Sequence, residues 1–224
     1  MKDAVWFVRP GPNEELRYSL RSAHAHVGVE NVWIVGDPPP WYTGPLIPGN
    51  RHGTTQRNVY DNVRILSEHP DPPAEIAVWN DDFFALAPVE VEMAHKGSLA
   101  DSIAGLRDGS WWKDSLTVTW DYLRSKGIED PISYELHRPF PITRSAMASV
   151  LADAADVCPG NPPQWRTLYG NLNDAGGVRG RDGKLFRRTK KPTGVWLSTD
   201  EAHSWDRVRA RIRRMFREPS PWEK

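Results

Sequence analysis

The sequence has a single cysteine, Cys158, so no intramolecular disulfide can form, and neither it nor any histidine falls at the spacing of a zinc site. It lacks any apolar run near the roughly 18 residues that a membrane helix needs. The opening MKDAVWFVRP reaches Pro10 too early for a secretory signal. It also lacks a charge imbalance: 29 basic residues stand against 29 acidic ones, which removes any global field directed at nucleic acid, a membrane or a polyanion. Internal repeats and low-complexity linkers are missing too. These absences lead to the expectation of a soluble, cytoplasmic protein with no membrane span, folded as one domain over residues 1–224. What the chain has in plenty is proline and tryptophan, 20 and 11 residues, which calls for ordered loops with aromatic anchors rather than a helical bundle.

Residues 4–8 read as a buried strand, and Asn13 is placed to cap a helix running to about His26. Residues 31–36 form a second strand, and 37–53, with Pro38-Pro39-Pro40-Trp41, can only be loop. Thr54 or Thr55 caps a helix to about Glu68, and residues 75–79 are a third strand, apolar enough to be buried on both faces. Strand and helix alternating at this spacing predict parallel units with right-handed crossovers, an α/β fold with a mostly parallel sheet flanked by helices. The rest is expected to be helical and loop-rich. Helices are expected at 98–106, 111–125 and 143–155, a strand at 133–136, and a loop at 169–183. A short strand should follow at 195–198, then a helix capped by Thr199 or Asp200 and ending near Glu218.

In open parallel sheets ligands bind at the carboxyl ends of the strands, here Arg9-Pro10-Gly11, Gly36-Asp37 and Asn80-Asp81-Asp82. The last of these sets two adjacent carboxylates between an apolar strand and two phenylalanines. A hard divalent cation, Mg²⁺ or Mn²⁺, would relieve their repulsion, because such ions favour oxygen ligands from one or two carboxylates plus phosphate. Alternation along a strand puts Asn80 and Asp82 on one side and Asp81 on the other. Asp82 is then the metal ligand, and Asp81 a ribose contact or second ligand. The plain alternative is a solvated strand end or a helix cap.

Four blocks carry a resemblance: residues 13–22, residues 32–36 followed by Pro40-Trp41, Asn80-Asp81-Asp82-Phe83-Phe84, and His137-Arg138-Pro139-Phe140-Pro141. In this order they resemble the Stealth family, enzymes that transfer sugar 1-phosphates from nucleotide sugars. They are similar also to small phage and bacterial glycosyltransferase-like proteins on a GT-A-type nucleotide-binding core. The likeness spans about residues 4–141, with an echo in Leu197-Ser198-Thr199-Asp200-Glu201. The chain departs from the Stealth pattern in its shortness and in the absence of acidic residues after the first strand.

The resemblance implies a GT-A-like, Rossmann-type fold with a nucleotide-binding half over residues 1–90 and an acceptor-side half over 91–224. The donor would be a nucleoside-diphosphate sugar, a UDP sugar foremost, and the acceptor a glycan, a protein or a modified nucleic acid. Arg9, Pro10, Gly11 and Asn13 would lie against base and ribose, with Gly11 letting the backbone approach the ligand. Arg17 and Arg21, one turn apart, either meet phosphate or pair with Glu14 and Asp61 on a solvated face. Arg57 and Asn58, at a helix start, form an anion site for the diphosphate or are ordinary surface residues. His137, pinned before Pro-Phe-Pro, would be a general base, a third metal ligand or a phosphate contact. With Asp82 and Asp200 it makes the expected catalytic set, although a helix cap with an acidic first turn explains Asp200 without chemistry. The Gly-rich run 169–177 is a candidate acceptor loop or a segment with no role. The arginine-rich segment 207–217 would either serve a nucleic-acid acceptor or pack Val208, Ile212, Met215 and Phe216 on the core. The sequence thus predicts a metal-dependent glycosyltransferase. Sugar 1-phosphate transfer from the same pocket is the first alternative, and a non-catalytic carbohydrate- or nucleic-acid-binding protein the second.

Overall fold

A computed structural model describes residues 1–51, 53–157, 161–186, 194–200 and 204–224. Cys158, Glu201, His203 and the basic residues Arg187, Arg188, Lys190 and Lys191 lie outside them. In chain order the elements are β1 (Asp3–Val8), α1 (Glu14–Val27), β2 (Asn31–Gly36), β3 (Leu46–Ile47), α2 (Thr55–Glu68), β4 (Glu75–Asn80), β5 (Phe83–Ala85), β6 (Ala94–His95) and β7 (Gly97–Ser98). They continue with α3 (Leu99–Ala104), α4 (Trp111–Ser125), β8 (Ile132–Ser133), β9 (Phe140–Thr143), α5 (Arg144–Asp153), α6 (Trp165–Leu172), β10 (Val178–Arg179), β11 (Trp196–Ser198) and α7 (Trp205–Met215). Among the described residues no helix is long and apolar enough to cross a membrane.

The central sheet runs β3-β2-β1-β4-β9, with the first four strands parallel and β9 antiparallel to β4. This is the α/β, Rossmann-type layout expected from the sequence, a mostly parallel sheet between helices. Alternation along β1 sends Ala4, Trp6 and Val8 into one core with α1, and Val5 and Phe7 into another with α2, α5 and α6. Both faces of the sheet are therefore buried, which is why its strands read as unbroken apolar runs. Gly36 ends β2 at φ 126°, and a Cβ there would stand 2.0 Å from the Val8 carbonyl oxygen. Only glycine lets β1 and β2 finish this close together.

The second half departs from expectation in three places. The strand expected at 133–136 is reduced to β8, and the sheet's fifth member is β9, whose Pro141 stands opposite Ala77. Proline removes a ladder donor, so β9 is tolerable only because it lies at the sheet edge. The run expected as loop from residue 169 begins inside α6, whose Gly170 is pressed on Tyr134 so closely that a Cβ would meet its ring at 2.3 Å. On α7, Val208, Ile212 and Phe216 are buried as expected, but Met215 is 39% exposed. The arginines of that helix partly serve the fold, since Arg213 and Arg209 pair with Glu14 at the start of α1.

Candidate functional site

Strand order fixes where a ligand can enter. From β1 the chain moves to β2 on one side, while β4 lies on the other, so the order reverses between β1 and β4. Crevices in open α/β sheets form at this point, outside the carboxyl ends of the strands. Arg9 leaves β1 there, and Asn80-Asp81-Asp82 leaves β4.

Asn13 joins the two sides. Its backbone is left-handed at φ 37°, its Oδ1 accepts from Leu16 N at 3.1 Å as the cap of α1, and its Nδ2 donates to Asp81 Oδ2 at 2.6 Å. Burial and the adjacent Asp82 push the Asp81 carboxyl up to about 6, against the opposing pull of Asn13 and Arg9. Asp82 has different company. Lys184 Nζ and Ser198 Oγ both donate to its Oδ2, at 2.9 and 2.7 Å, and the same ammonium donates to the Thr199 carbonyl. Thr199 Oγ1 in turn donates to Glu15, so the start of α1, the end of β4 and the segment after β11 are laced together.

Asn80 opens on a cleft of about 230 Å³ that His137, Glu135, Tyr60, Trp165 and Arg166 also line. His137 is held by Asp182, whose carboxylate accepts from the ring Nδ1 at 2.9 Å and from the His137 backbone N–H at 3.2 Å. With Nδ1 carrying the proton, Nε2 is the nitrogen left to accept one, and a third of the side chain is exposed. Burial opposes ionisation of Asp182, but the hydrogen bond and charge of His137, with Lys96 Nζ at 2.9 Å, hold its carboxyl well below the usual carboxylate range. Phe83 packs its ring edge-on to His137 at 6.5 Å between centroids. Arg166 lies between these groups, 92% buried by surface area at 8% exposure. Burial disfavours its charge, and Glu135, Asp82 and Asp182 oppose that through space.

The other residues singled out from the sequence are distributed as follows. Gly11 takes φ 138° with open space where a Cβ would stand, as a backbone approached by a ligand requires. Pro10, beside it, is exposed. Arg17 is engaged with Glu223 at 3.4 Å and lies 4.5 Å over the ring of Trp41. Arg21 binds Glu223 at 2.7 and 2.8 Å, rather than Glu14 or Asp61. Both cations are thus committed to the C-terminal segment. Arg57 pairs with Asp61 at 3.1 Å one turn along α2, and Asn58 closes the turn at Gly53 through both its amide atoms. Asp200 Oδ1 accepts from Ser204 N at 3.0 Å, but the N-cap of α7 is Ser204 rather than Thr199 or Asp200 as expected. The residues that sequence reasoning missed are Asp182, Lys184, Lys96, Glu135 and Arg166. Only the adjacency of Asp182 to a glycine-rich run gave any signal for them.

Asp81 and Asp82 could hold a hard cation through one or two carboxylates plus ligand oxygens, and a cation would favour the ionised form of Asp81 that burial and then Asp82 disfavour. Among the described residues His137 does not join them in one ligand group, and no set of three such side chains is disposed to hold a metal. Lys184 already gives Asp82 one positive neighbour.

No protein-family model matches the chain, and no curated protein sequence does. Among solved structures the chain is similar to galactosyltransferase LgtC in complex with donor and acceptor sugar analogs, at a TM-score of 0.48 and 10% identity over 97% of this chain and 96% of that one. It is similar to an active-site mutant of LgtC at 0.45 and 10%, over 95% and 94% of the two chains. A third likeness is to 4-diphosphocytidyl-2C-methyl-D-erythritol synthase, at 0.39 and 10%, over 87% and 94%.

Proposed function

We propose that the chain is a nucleotide-sugar-dependent glycosyltransferase that moves a sugar from a nucleoside-diphosphate sugar, a UDP sugar foremost, to an acceptor hydroxyl. One observation supports this reading above the others: an acidic strand end at the switch point adjoins a cleft that holds a histidine oriented by a carboxylate. In this reading base and ribose lie along residues 9–13, with Asp81 toward the ribose hydroxyls. Mg²⁺ or Mn²⁺ on Asp81 and Asp82 would supply positive charge to the departing diphosphate. Lys184 adds charge of the same sign beside Asp82. His137, its tautomer fixed by Asp182, takes the proton of the acceptor hydroxyl as that oxygen bonds to the anomeric carbon. The bond from that carbon to the diphosphate oxygen breaks, and the nucleoside diphosphate leaves with the electron pair.

The sequence blocks that resemble the Stealth family favour a second reading, attack at phosphorus with transfer of the sugar 1-phosphate. Product analysis separates the two, since the first releases a nucleoside diphosphate and the second a monophosphate. The primary test is thermal unfolding against a panel of nucleotides and nucleotide sugars, with and without Mn²⁺. A ligand bound at a hundred times its Kd stabilises the folded state by about 2.7 kcal/mol. A shift for one nucleotide class, strengthened by the ion and lost in Asp82→Asn, is the expected outcome. No shift with any nucleotide would sink the proposal.

A further inference from the structure

The cleft beside Asn80 has chemistry that the donor reading does not use. It lies where three helices begin: Thr55 and Gln56 of α2, Trp111 and Trp112 of α4, and Trp165 and Arg166 of α6 all line it. Helix starts carry partial positive charge and unsatisfied amides, and α2 has no acidic residue in its first turn to offset this. One of these ends already holds an anion, since Glu135 Oε1 accepts from Thr167 N at 3.1 Å and from Thr167 Oγ1 at 2.9 Å near the start of α6. The next residue back, Arg166, has no such partner. Its guanidinium lies 4.9 Å over Trp165 and 5.7 Å over Phe83, and its one hydrogen bond is long, 3.4 Å from Nη1 to the Leu136 carbonyl. Its Nε is buried without any partner, as is the Tyr60 hydroxyl on the same cleft.

A buried arginine without a carboxylate at ion-pair distance is costly, because removing a cation from water is offset only by a partner of opposite charge. Arg166 and Tyr60 line one cleft and each carries a buried donor without a partner, which favours a ligand that accepts, and a cation among helix starts favours one that is negative. Trp111, 48% exposed and edge-on to Trp112 at 5.3 Å, offers a flat apolar face beside it. Ligand pockets for larger molecules run to about 300–1,000 Å³, so a cleft of about 230 Å³ takes one ring with its substituents rather than a whole nucleotide sugar.

We infer that this cleft is a subsite for an anionic sugar unit, one pyranose ring bearing a carboxylate or a phosphate, with Arg166 and Tyr60 on the acid group and Trp111 against the ring. The identification of that sugar as the acceptor's rests on the transferase reading above, whereas the binding itself does not. His137 lines the same cleft, so a hydroxyl of the bound ring is presented to Nε2.

The test is a ligand-detected NMR titration of the full chain, without donor, using glucuronic acid, glucose 6-phosphate and uncharged glucose, then repeated with saturating UDP. Binding of one or both acids about tenfold or more tighter than glucose is expected, since hydrogen bonds to charged groups are worth about 1.5–3 kcal/mol. The member of the pair that binds more tightly identifies the acid group. Arg166→Gln should bring the acids down to the level of glucose. Trp111→Ala, on an exposed ring that leaves the core intact, should weaken all three sugars together, which keeps the test decisive if Arg166→Gln fails to fold. Equal binding of the three sugars, or acids unaffected by both substitutions, would overturn the subsite. Displacement of the acids by UDP would overturn it as well, by making the cleft the donor's diphosphate site. If the acids bind in the expected way and no nucleotide sugar is turned over, the transferase reading fails while the subsite stands.

Discussion

The two sides of the end of β4 have opposite electrostatic needs. On one side Asp81 is pushed up to about 6 by burial and by Asp82, so a second negative charge is disfavoured there. On the other, Arg166 is buried with an unpartnered Nε, and the paired carboxylates nearby are already bonded elsewhere. A net charge of zero says nothing of this, because 29 positive and 29 negative residues cancel over the whole chain and not on either side of β4. In the proposed reading, neighbouring sites of opposite polarity would let one small domain hold a cation with a diphosphate and an anionic ring at once, without the two ligands competing for the same groups. The contrast weakens if either side proves to do the other's work.

The strongest such challenge is the histidine. If the cleft side carries the chemistry, His137→Gln should lower kcat by about 10²–10⁴ with little change in donor KM, the usual worth of a positioned general base. The measurement is steady-state release of nucleoside diphosphate. A loss confined to donor KM would move His137 to the acidic side, as a phosphate or metal contact, and the division between the two sides would fail.

The acidic side makes its own claim through pH. A carboxyl whose folded pKa is raised from 3.8 to about 6 prefers the protonated form in the folded state. Its stabilising contribution is complete below about pH 4 and is lost as pH rises through 6. The full difference corresponds to about 3 kcal/mol, and Asp81 keeps enough exposure that ~1–2 kcal/mol is the expected cost at pH 7.5. Asp81→Asn retains an acceptor for Asn13 and should therefore raise Tm by about 3–6 °C at pH 7.5 in chelator, with no gain below pH 4. Added Mn²⁺ should shrink the difference by stabilising only the carboxylate form. A gain independent of pH would mean that Asp81 is not the strained member of the pair.

How far this contrast was readable from the sequence differs between its sides. The acidic side was legible because its parts are local: three apolar strands bounded by turn residues, a cap at Asn13, and two carboxylates at a strand end, all within the first 82 residues. The cleft side was not, because it is assembled from residues far apart in sequence. Arg166 is on an eight-residue helix too short for a periodic signal, and Glu135 meets it only through Thr167. Asp182 lies in the run 169–183 that reads as loop by composition and Lys184 directly follows it, yet they fix His137 and Asp82 across 45 and 102 residues of chain. Strand β9 was hidden by Pro141 within it and Pro139 just before it, which argue against a strand wherever the edge position is unknown. Composition and periodicity carry local preference, whereas the partner of a buried charge is set by topology.

The smallest expected effect tests whether α2 belongs to the acidic side after all. Its N-terminal arginine is the residue the sequence would send to a diphosphate, yet Arg57 Nε pairs with Asp61 at 3.1 Å and its guanidinium lies 5.7 Å from the Tyr60 ring. The pair is a half-exposed one between residues four apart, worth about 0.3–0.5 kcal/mol, and Asp61 retains Asn50 Nδ2 at 2.6 Å when the arginine is gone. Arg57→Ala should therefore lower Tm by no more than about 1–2 °C and change donor affinity less than about twofold. Should donor binding instead weaken more than about tenfold, the cost of a lost charge-assisted contact, Arg57 leaves Asp61 for the diphosphate when the donor arrives. The acidic side would then draw a cation from the helix that also opens the cleft, and the two sides would be one coupled site rather than two of opposite need.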